Sequence, residues 1–357
     1  MKEERRFRKS LSWVPTVVGY SAMFLMTWFW GYWSIGEMYH EGWWGAWYIR
    51  LLYLIPMTLF LSLTLVVLYF PKVGAWITIG VGIVATAFFW GDEILSGDFS
   101  LQNLAGFLPI GGGLVLFGFL FFYEARRRKQ RSETDWKAPT QWWKRNWYTL
   151  LLLAGIIAPA IGFSTYYLPK IFRQVDDGYR GAVTIEGNGV TLIWAPKGPG
   201  WNWQQEWGGY PSWTAISLYG MEPVGVDGKS DAWGSVEEAE QYHLCLYLNE
   251  EGTKLMPEQQ DIWRMPTVDE LVRSLPAAGE NAGCTWNGQM EQMACESEPF
   301  KSGPLWALDE APIYYWASEE YPEDEREAYF VSHNGWVNIT RKTGGNPRHS
   351  YRCVKEP

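Results

Sequence analysis

Apolar runs of membrane length fill the first 168 residues of this 357-residue chain, and none approaches that length afterwards. A span needs about 18 to 20 consecutive apolar residues at a 1.5 Å rise per residue, so only the first part can supply spans. The expected spans are about 11–33, 48–70, 73–90, 104–123 and 147–168. The third is the shortest, and without it the tail would emerge on the opposite side. Pro71-Lys72 supplies a tight turn before it. The organisation that follows is an arm (1–10), a five-helix transmembrane bundle (11–168), a linker (169–182) and a folded domain (183–357).

Charge gives the orientation. Lys2, Arg5, Arg6, Arg8, Lys9, Lys72, Arg126, Arg127, Arg128, Lys129, Arg131, Lys137, Lys144 and Arg145 all fall on one side of that topology. The opposite loops, 35–47 and 91–103, contain no Lys or Arg, and only Arg50 lies near that boundary. The positive-inside rule then places the N-terminal arm in the cytoplasm and the tail outside an inner membrane. The first apolar run follows basic residues but has no small-residue cleavage site after it, so it reads as a retained signal anchor. Trp28, Trp30, Tyr32, Trp33, Trp43, Trp44, Trp47, Trp142, Trp143 and Trp147 cluster at the expected span ends and read as an aromatic belt.

A transport path would require ionisable groups within the spans, yet Glu37, Glu41, Arg50, Asp92 and Glu93 fall at their ends. His40 is the only histidine in this half, which excludes a bis-histidine haem site within one chain. Gly80, Gly82 and Gly111 to Gly113 read as close-packing positions between helices.

The tail is acidic. Residues 1–168 hold 15 of the 30 Lys+Arg and 10 of the 39 Asp+Glu, leaving the remainder a formal charge of about −14. Nucleic-acid binding begins with cations neutralising phosphates, and this balance opposes it. All four cysteines, Cys245, Cys284, Cys295 and Cys353, lie in the tail. An even number confined to one segment indicates disulfides in an oxidising compartment, with three pairings open.

Within the tail, 176–180 reads as a polar linker, and 190–195 and 328–332 read as strands. Two capping boxes mark helices: Ser235 with Glu238, opening a helix to about Leu248, and Thr267 with Glu270 behind Pro266. Few helices among many short strands make an α+β domain.

Three segments then resemble one family. Trp263-Arg264-Met265-Pro266-Thr267-Val268-Asp269-Glu270-Leu271, Tyr315-Trp316-Ala317-Ser318-Glu319 and Tyr351-Arg352-Cys353-Val354 resemble, in order, the signatures of the Lcl C-terminal-like domain family. The resemblance covers about residues 184–355 and implies a C-type-lectin-like fold, akin to formylglycine-generating enzymes. It implies that Cys245 pairs with Cys353, leaving Cys284 with Cys295. Trp263, Arg264, Pro266, Glu270, Leu271, Tyr315, Trp316, Ser318, Tyr351 and Arg352 become structural motif positions.

Formylglycine generation needs a redox-active or copper-binding cysteine pair, and pairing all four cysteines structurally leaves none. No CxxC or HxxxH spacing supports zinc, and His243, His333 and His349 are scattered as ordinary surface or hydrogen-bonding residues. No GxSxG, P-loop or GxGxxG sequence anchors catalysis, so no catalytic residue or metal ligand is assigned. Glu319, Glu320, Glu323, Asp324, Glu325 and Glu327 are a possible calcium run, read first as a solvated loop.

Ligand binding is better served, because loop aromatics and amides suit sugars and peptides. The candidate positions are Asn334, Trp336, Asn338, Arg348 and His349, with a hairpin turn at Asn334-Gly335 and Trp336 packed inward as the plain structural reading. The expected function is recognition of a glycan, polysaccharide or protein partner at a bacterial cell envelope. The alternatives are an accessory subunit of a membrane complex and an envelope enzyme.

Overall fold

A computed structural model describes residues 14–96, 101–132, 142–201, 212–219, 234–290, 293–344 and 348–357. The arm at 1–10 and the loop residues Asn346 and Pro347 lie outside the described residues. The chain divides into two compact units, one of residues 1–40 and 50–164 and one of residues 41–49 and 165–357.

The first unit is helical: α1 (Val14–His40), α2 (Ile49–Tyr53, whose first residue belongs to the second unit), α3 (Ile55–Tyr69), α4 (Pro71–Ser96), α5 (Leu101–Ser132) and α6 (Trp142–Phe172). The expected span at 48–70 is broken at Leu54, because Pro56 in the first turn of α3 has no N–H to bond the carbonyl of Leu52 and carry one helix through. Phe70 then caps α3 and Pro71 opens α4, where a missing N–H is harmless. Helix α5 continues through Arg126 to Arg131, which the sequence placed in a loop. Helix α6 is interrupted at Asn146, and its last turns belong to the second unit. By length and composition two segments among the described residues could cross a membrane, Pro71–Phe88 and Asn146–Phe172, with Ile55–Tyr69 a shorter apolar helix.

Polar side chains face inward in this unit. Thr27, Ser34, Thr64 and Thr78 are fully buried, while Leu25, Phe29, Leu59, Val84, Phe88, Phe119 and Ile161 are exposed. Thr27 and Thr64 share a hydrogen bond of 2.7 Å. Near one end Glu124 is buried and accepts from Thr16 at 2.7 Å and Arg128 at 3.0 Å, while Arg128 also donates to Tyr20 and to the Leu68 carbonyl. Gly82 and Gly111 lie where α4 meets α5; a Cβ on Gly111 would sit 1.9 Å from Thr86 Oγ1. Gly80 and Gly113 have open space instead.

The second unit is rich in sheet. Strands β1 (Val183–Gly187), β2 (Val190–Trp194) and β11 (Val354–Lys355) form one antiparallel sheet, which ties the start of the domain to the chain's end. A second sheet has the order β10 (His349–Ser350), β7 (Tyr314–Glu320), β8 (Glu327–Ser332), β9 (Val337–Arg341), with β10 parallel to β7 and the other pairs antiparallel. Two short ribbons pair β3 (Pro276–Ala277) with β4 (Glu280–Asn281) and β5 (Thr285–Trp286) with β6 (Met293–Ala294). The helices are short: α7 (Trp213–Ser217), α8 (Val236–Tyr242) and α9 (Val268–Arg273).

Both expected capping boxes form, at Ser235/Glu238 and Thr267/Glu270. The first helix is shorter than its sequence pattern implied. It ends at Tyr242 because His243 is extended, and a 3-10 turn (Leu244–Tyr247) carries Cys245 inward. The disulfides are Cys245–Cys353 and Cys284–Cys295, and no described cysteine is free.

The segment read as a linker is folded onto the domain: Asp176 pairs with Arg180 at 2.8 Å and accepts from the Leu308 N–H. Those bonds from Arg180, Gly178 and Leu308 outweigh burial and hold the Asp176 carboxyl at about 2. Residues 41–49 also belong here. Trp44, expected in an aromatic belt, is 2% exposed and packs against Phe300 and His333, while its carbonyl accepts from Arg348 at 2.9 Å. Tyr314 donates to Glu41 at 2.9 Å. The Lys301 ammonium, 5.0 Å from the ring centre, adds a cation contact, so Trp44 is held by partners inside the domain.

Candidate functional site

The site grows from an irregularity in β7. Between Trp316 and Glu320 the register against β8 shifts, and a bulge of this kind re-aims the side chains it contains. The freed Ser318 N–H bonds the Pro266 carbonyl at 2.9 Å, drawing the bulge against the start of α9. Glu319 then accepts from the Val268 N–H at 3.1 and 3.0 Å through its two oxygens. Ser318 Oγ donates to Glu319 at 3.1 Å.

Arg264 approaches from the other side, held by its own backbone: its N–H and C=O pair with Val354 at 2.9 Å each. Its guanidinium makes two 2.7 Å bonds to Glu270 and one of 2.8 Å to Glu356. A bidentate, charge-assisted pair of this kind fixes orientation as well as supplying energy. Helix α8, the extended His243 after it and the 3-10 turn that follows contribute Val236, Ala239, Glu240, His243 and Leu246. Together with Met265 and Thr267, these elements enclose a pocket of about 570 Å³.

The electrostatics are uneven. Burial alone would raise Glu270, yet the hydrogen bonds from Arg264 and Thr267 hold it below the ordinary carboxylate range. Burial raises Glu319 above that range, opposed by the Val268 and Ser318 bonds and reinforced by the Glu270 charge. Burial, with Arg264 nearby, pulls the His243 imidazole down to about 4. His243 is therefore neutral near pH 7, and its Nδ1 has no hydrogen-bond partner among the described residues.

The motif positions thus divide. Arg264, Glu270 and Ser318 line the pocket. Trp263, Leu271, Tyr315, Trp316, Tyr351 and Arg352 are buried in the domain and do not line it, and Pro266 supplies the carbonyl that anchors the bulge. Tyr315 lies 3.9 Å from Trp306 in a parallel stack, accepts from Trp201 and donates to Leu305. Arg352 is a buried cation held by the carbonyls of Ala195, Pro304 and Leu305 and by the Trp201 face at 3.6 Å.

The loop candidates fall elsewhere. The turn after β8 forms at Gly335 (φ +92), where a Cβ would collide with Met293 Cε at 1.6 Å. Trp336 points outward at 57% exposure, because the turn spends its inward position on glycine rather than on the ring. Asn334 and Asn338 are partly exposed and bond the local backbone. Arg348 and His349 are buried, Arg348 on the Trp44 and Ala311 carbonyls and His349 among Tyr314, Trp316 and Phe330. His243 and His333 are buried too, so of the expected surface or hydrogen-bonding roles the surface one fails for all three histidines of the tail, while His333 shares a hydrogen bond with Ser332. The acidic run disperses: Glu319 enters the pocket, Glu320 pairs with Lys342 and Asp324 with Arg326. Among the described residues no group of three His, Cys, Asp or Glu converges as for a metal.

None of the pocket residues is among the ligand-binding positions expected from the sequence, where Arg264, Glu270 and Ser318 stand only as structural motif positions. The signal for His243 was its place at the end of a short capped helix, where a turn can direct a side chain inward. Fold and site together define a disulfide-stapled, sheet-rich domain with a mixed polar and apolar pocket, on a chain whose other unit is helical. Comparison with protein-family models, with curated proteins and with solved structures finds no match for the chain.

Proposed function

We propose that this chain is a polytopic inner-membrane protein that displays an extracytoplasmic recognition domain and binds an envelope ligand, a glycan or a peptide, in the His243–Arg264–Glu319 pocket. The observation that carries the binding role is the unpartnered, buried His243 lining a 570 Å³ pocket, a volume in the range of small-ligand sites. A buried polar atom without a partner is costly unless something supplies one.

The membrane reading, a five-helix bundle, rests on the first unit's reversed polarity. Only 11% of the Asn146–Phe172 window is buried, and fully buried threonines face one another inside. Small and polar contacts inside with apolar side chains outside suit lipid, where bringing helices together gains nothing from the hydrophobic effect. The outside location of the second unit rests on the basic residues of the other side and on two disulfides. A lectin-like fold of the Lcl type is favoured by the three motifs and by the Cys245–Cys353 bridge, which joins the turn after α8 to the residue before β11.

The test is a glycan and peptide array probed with the full chain in lipid nanodiscs, beside a Val236→Trp variant that fills the pocket. Retention of a ligand by the parent and its loss in the variant is expected. Equal binding by both would remove the pocket from the function.

A further inference from the structure

Charge accounting in the pocket selects a ligand class. Four carboxylates line it, Glu240, Glu270, Glu319 and Glu320, against one guanidinium, Arg264. Glu270 is taken by Arg264 and Glu320 by Lys342 at 2.6 Å. Arg264 is itself committed to Glu270 and Glu356, so it offers little to an anion. Glu240 is exposed at the mouth. Glu319 receives hydrogen bonds only from neutral groups, the Val268 N–H, its own N–H and Ser318 Oγ, and no described cation pairs with it.

His243, at 7% exposure, adds a neutral ring whose Nδ1 is unpaired. Val236, Ala239, Leu246 and Met265 supply an apolar wall. A neutral occupant would strip water from Glu319 and return no counter-charge, and an anion would be repelled by it as well. Only a cation offsets both terms.

Building on the pocket as a binding site, we propose that its ligand carries a protonated amine beside an apolar body, with Glu319 as the counter-charge and His243 as a hydrogen-bond partner. An amino sugar or the amino end of a peptide has this chemistry.

The test uses the full chain in nanodiscs titrated with benzylamine, benzyl alcohol and benzoate, with empty nanodiscs subtracted. Benzylamine should bind at least about tenfold more tightly than the alcohol, as a charge-assisted contact implies, and benzoate least. Glu319→Gln keeps an acceptor for Val268; with an unchanged near-UV circular dichroism spectrum it should erase the preference for the amine. Glu323→Gln, outside the pocket, should leave it intact. Equal binding of amine and alcohol, both lost in Val236→Trp, would overturn the amine assignment while the pocket stands. Binding unaffected by Val236→Trp, or no binding of any probe, would overturn both.

Discussion

The two disulfides close loops of very different length, and their removal should cost different amounts. Cys245 and Cys353 are 108 residues apart, whereas Cys284 and Cys295 are 11 apart. In the chain-entropy treatment the first restrains the unfolded chain by about 4.8 kcal/mol and the second by about 2.8 kcal/mol at 25 °C. Packing reinforces the ranking. Cys245 and Cys353 are both fully buried, in a cluster with Leu244, Trp316 and Tyr351, while Cys295 is only partly buried. Alanine at the first pair would also leave sulfur-sized gaps among rings that cannot easily collapse.

The assay is thermal unfolding of the full chain in detergent, followed by near-UV circular dichroism, with Cys245→Ala/Cys353→Ala compared with Cys284→Ala/Cys295→Ala. At about 2–4 °C per kcal/mol for a domain of this size, the first variant should melt about 10–19 °C below the parent and the second about 6–11 °C. The reasoning is refuted if the local bridge costs as much as the long one. It is equally refuted if removing the long bridge leaves the transition where it was.

Trp44→Ala should destabilise the second unit by about 3–5 kcal/mol, measured by urea unfolding, because it empties a closed site against Phe300 and His333; an unchanged midpoint would mean the ring is not part of that core. The imidazole of His243 is held near 4 in the fold against an ordinary 6.5, so the unfolded chain takes up its proton first as pH falls. Its stabilising contribution is complete above about 6.5 and is lost towards 4, by up to about 1.4 kcal/mol per pH unit; burial holds His349 near 4 as well, so His243→Gln should lessen the fall of the urea midpoint over that window without abolishing it. In the helical unit Gly111→Ala should lower the melting temperature in detergent, since its Cβ would meet Thr86, while Gly113→Ala, with open space, should not; equal effects would argue against a close approach of α4 and α5.

Features written in local pattern were legible in the sequence. Both capping boxes form, as do strands at 190–194 and 327–332 where the local pattern marks 190–195 and 328–332; the cysteine pairing that forms is the one the family resemblance implies, which spacing alone leaves open. Less legible was whatever depends on partners distant in the chain. Val236, Ala239, Tyr242 and Leu246 share a helical spacing, but the helix stops at Tyr242, where the chain turns Leu244 and Cys245 into the core. Trp336 and Trp44 each lie next to a glycine, yet one is exposed and the other buried, because Trp44 packs against Phe300 and Ile313. For the pocket, Arg264, Glu270 and Ser318 could be listed from the motifs. Their convergence depends on the β7 bulge and the Arg264–Val354 bridge, which no spacing encodes.

Membership of residues 41–49 in the second unit bears on topology independently of charge counting. A segment that packs into the core with Phe300 and Ile313 must lie on the same side of any membrane as the rest of that core. The chain between residues 50 and 164 must then cross an even number of times. Four crossings, by the α2–α3 segment, α4, α5 and α6, meet that condition; so would two, but three would not. Loss of the segment at 73–90, the shortest of the expected spans, would leave an odd number and separate Trp44 from Phe300 by a bilayer. That segment lies within α4, and its Pro71–Phe88 window is one of two that pass for a span on length and composition alone. The core contacts of Trp44 therefore fix the parity of any crossings between residues 50 and 164, a condition that the Pro71–Phe88 and Asn146–Phe172 windows would together satisfy.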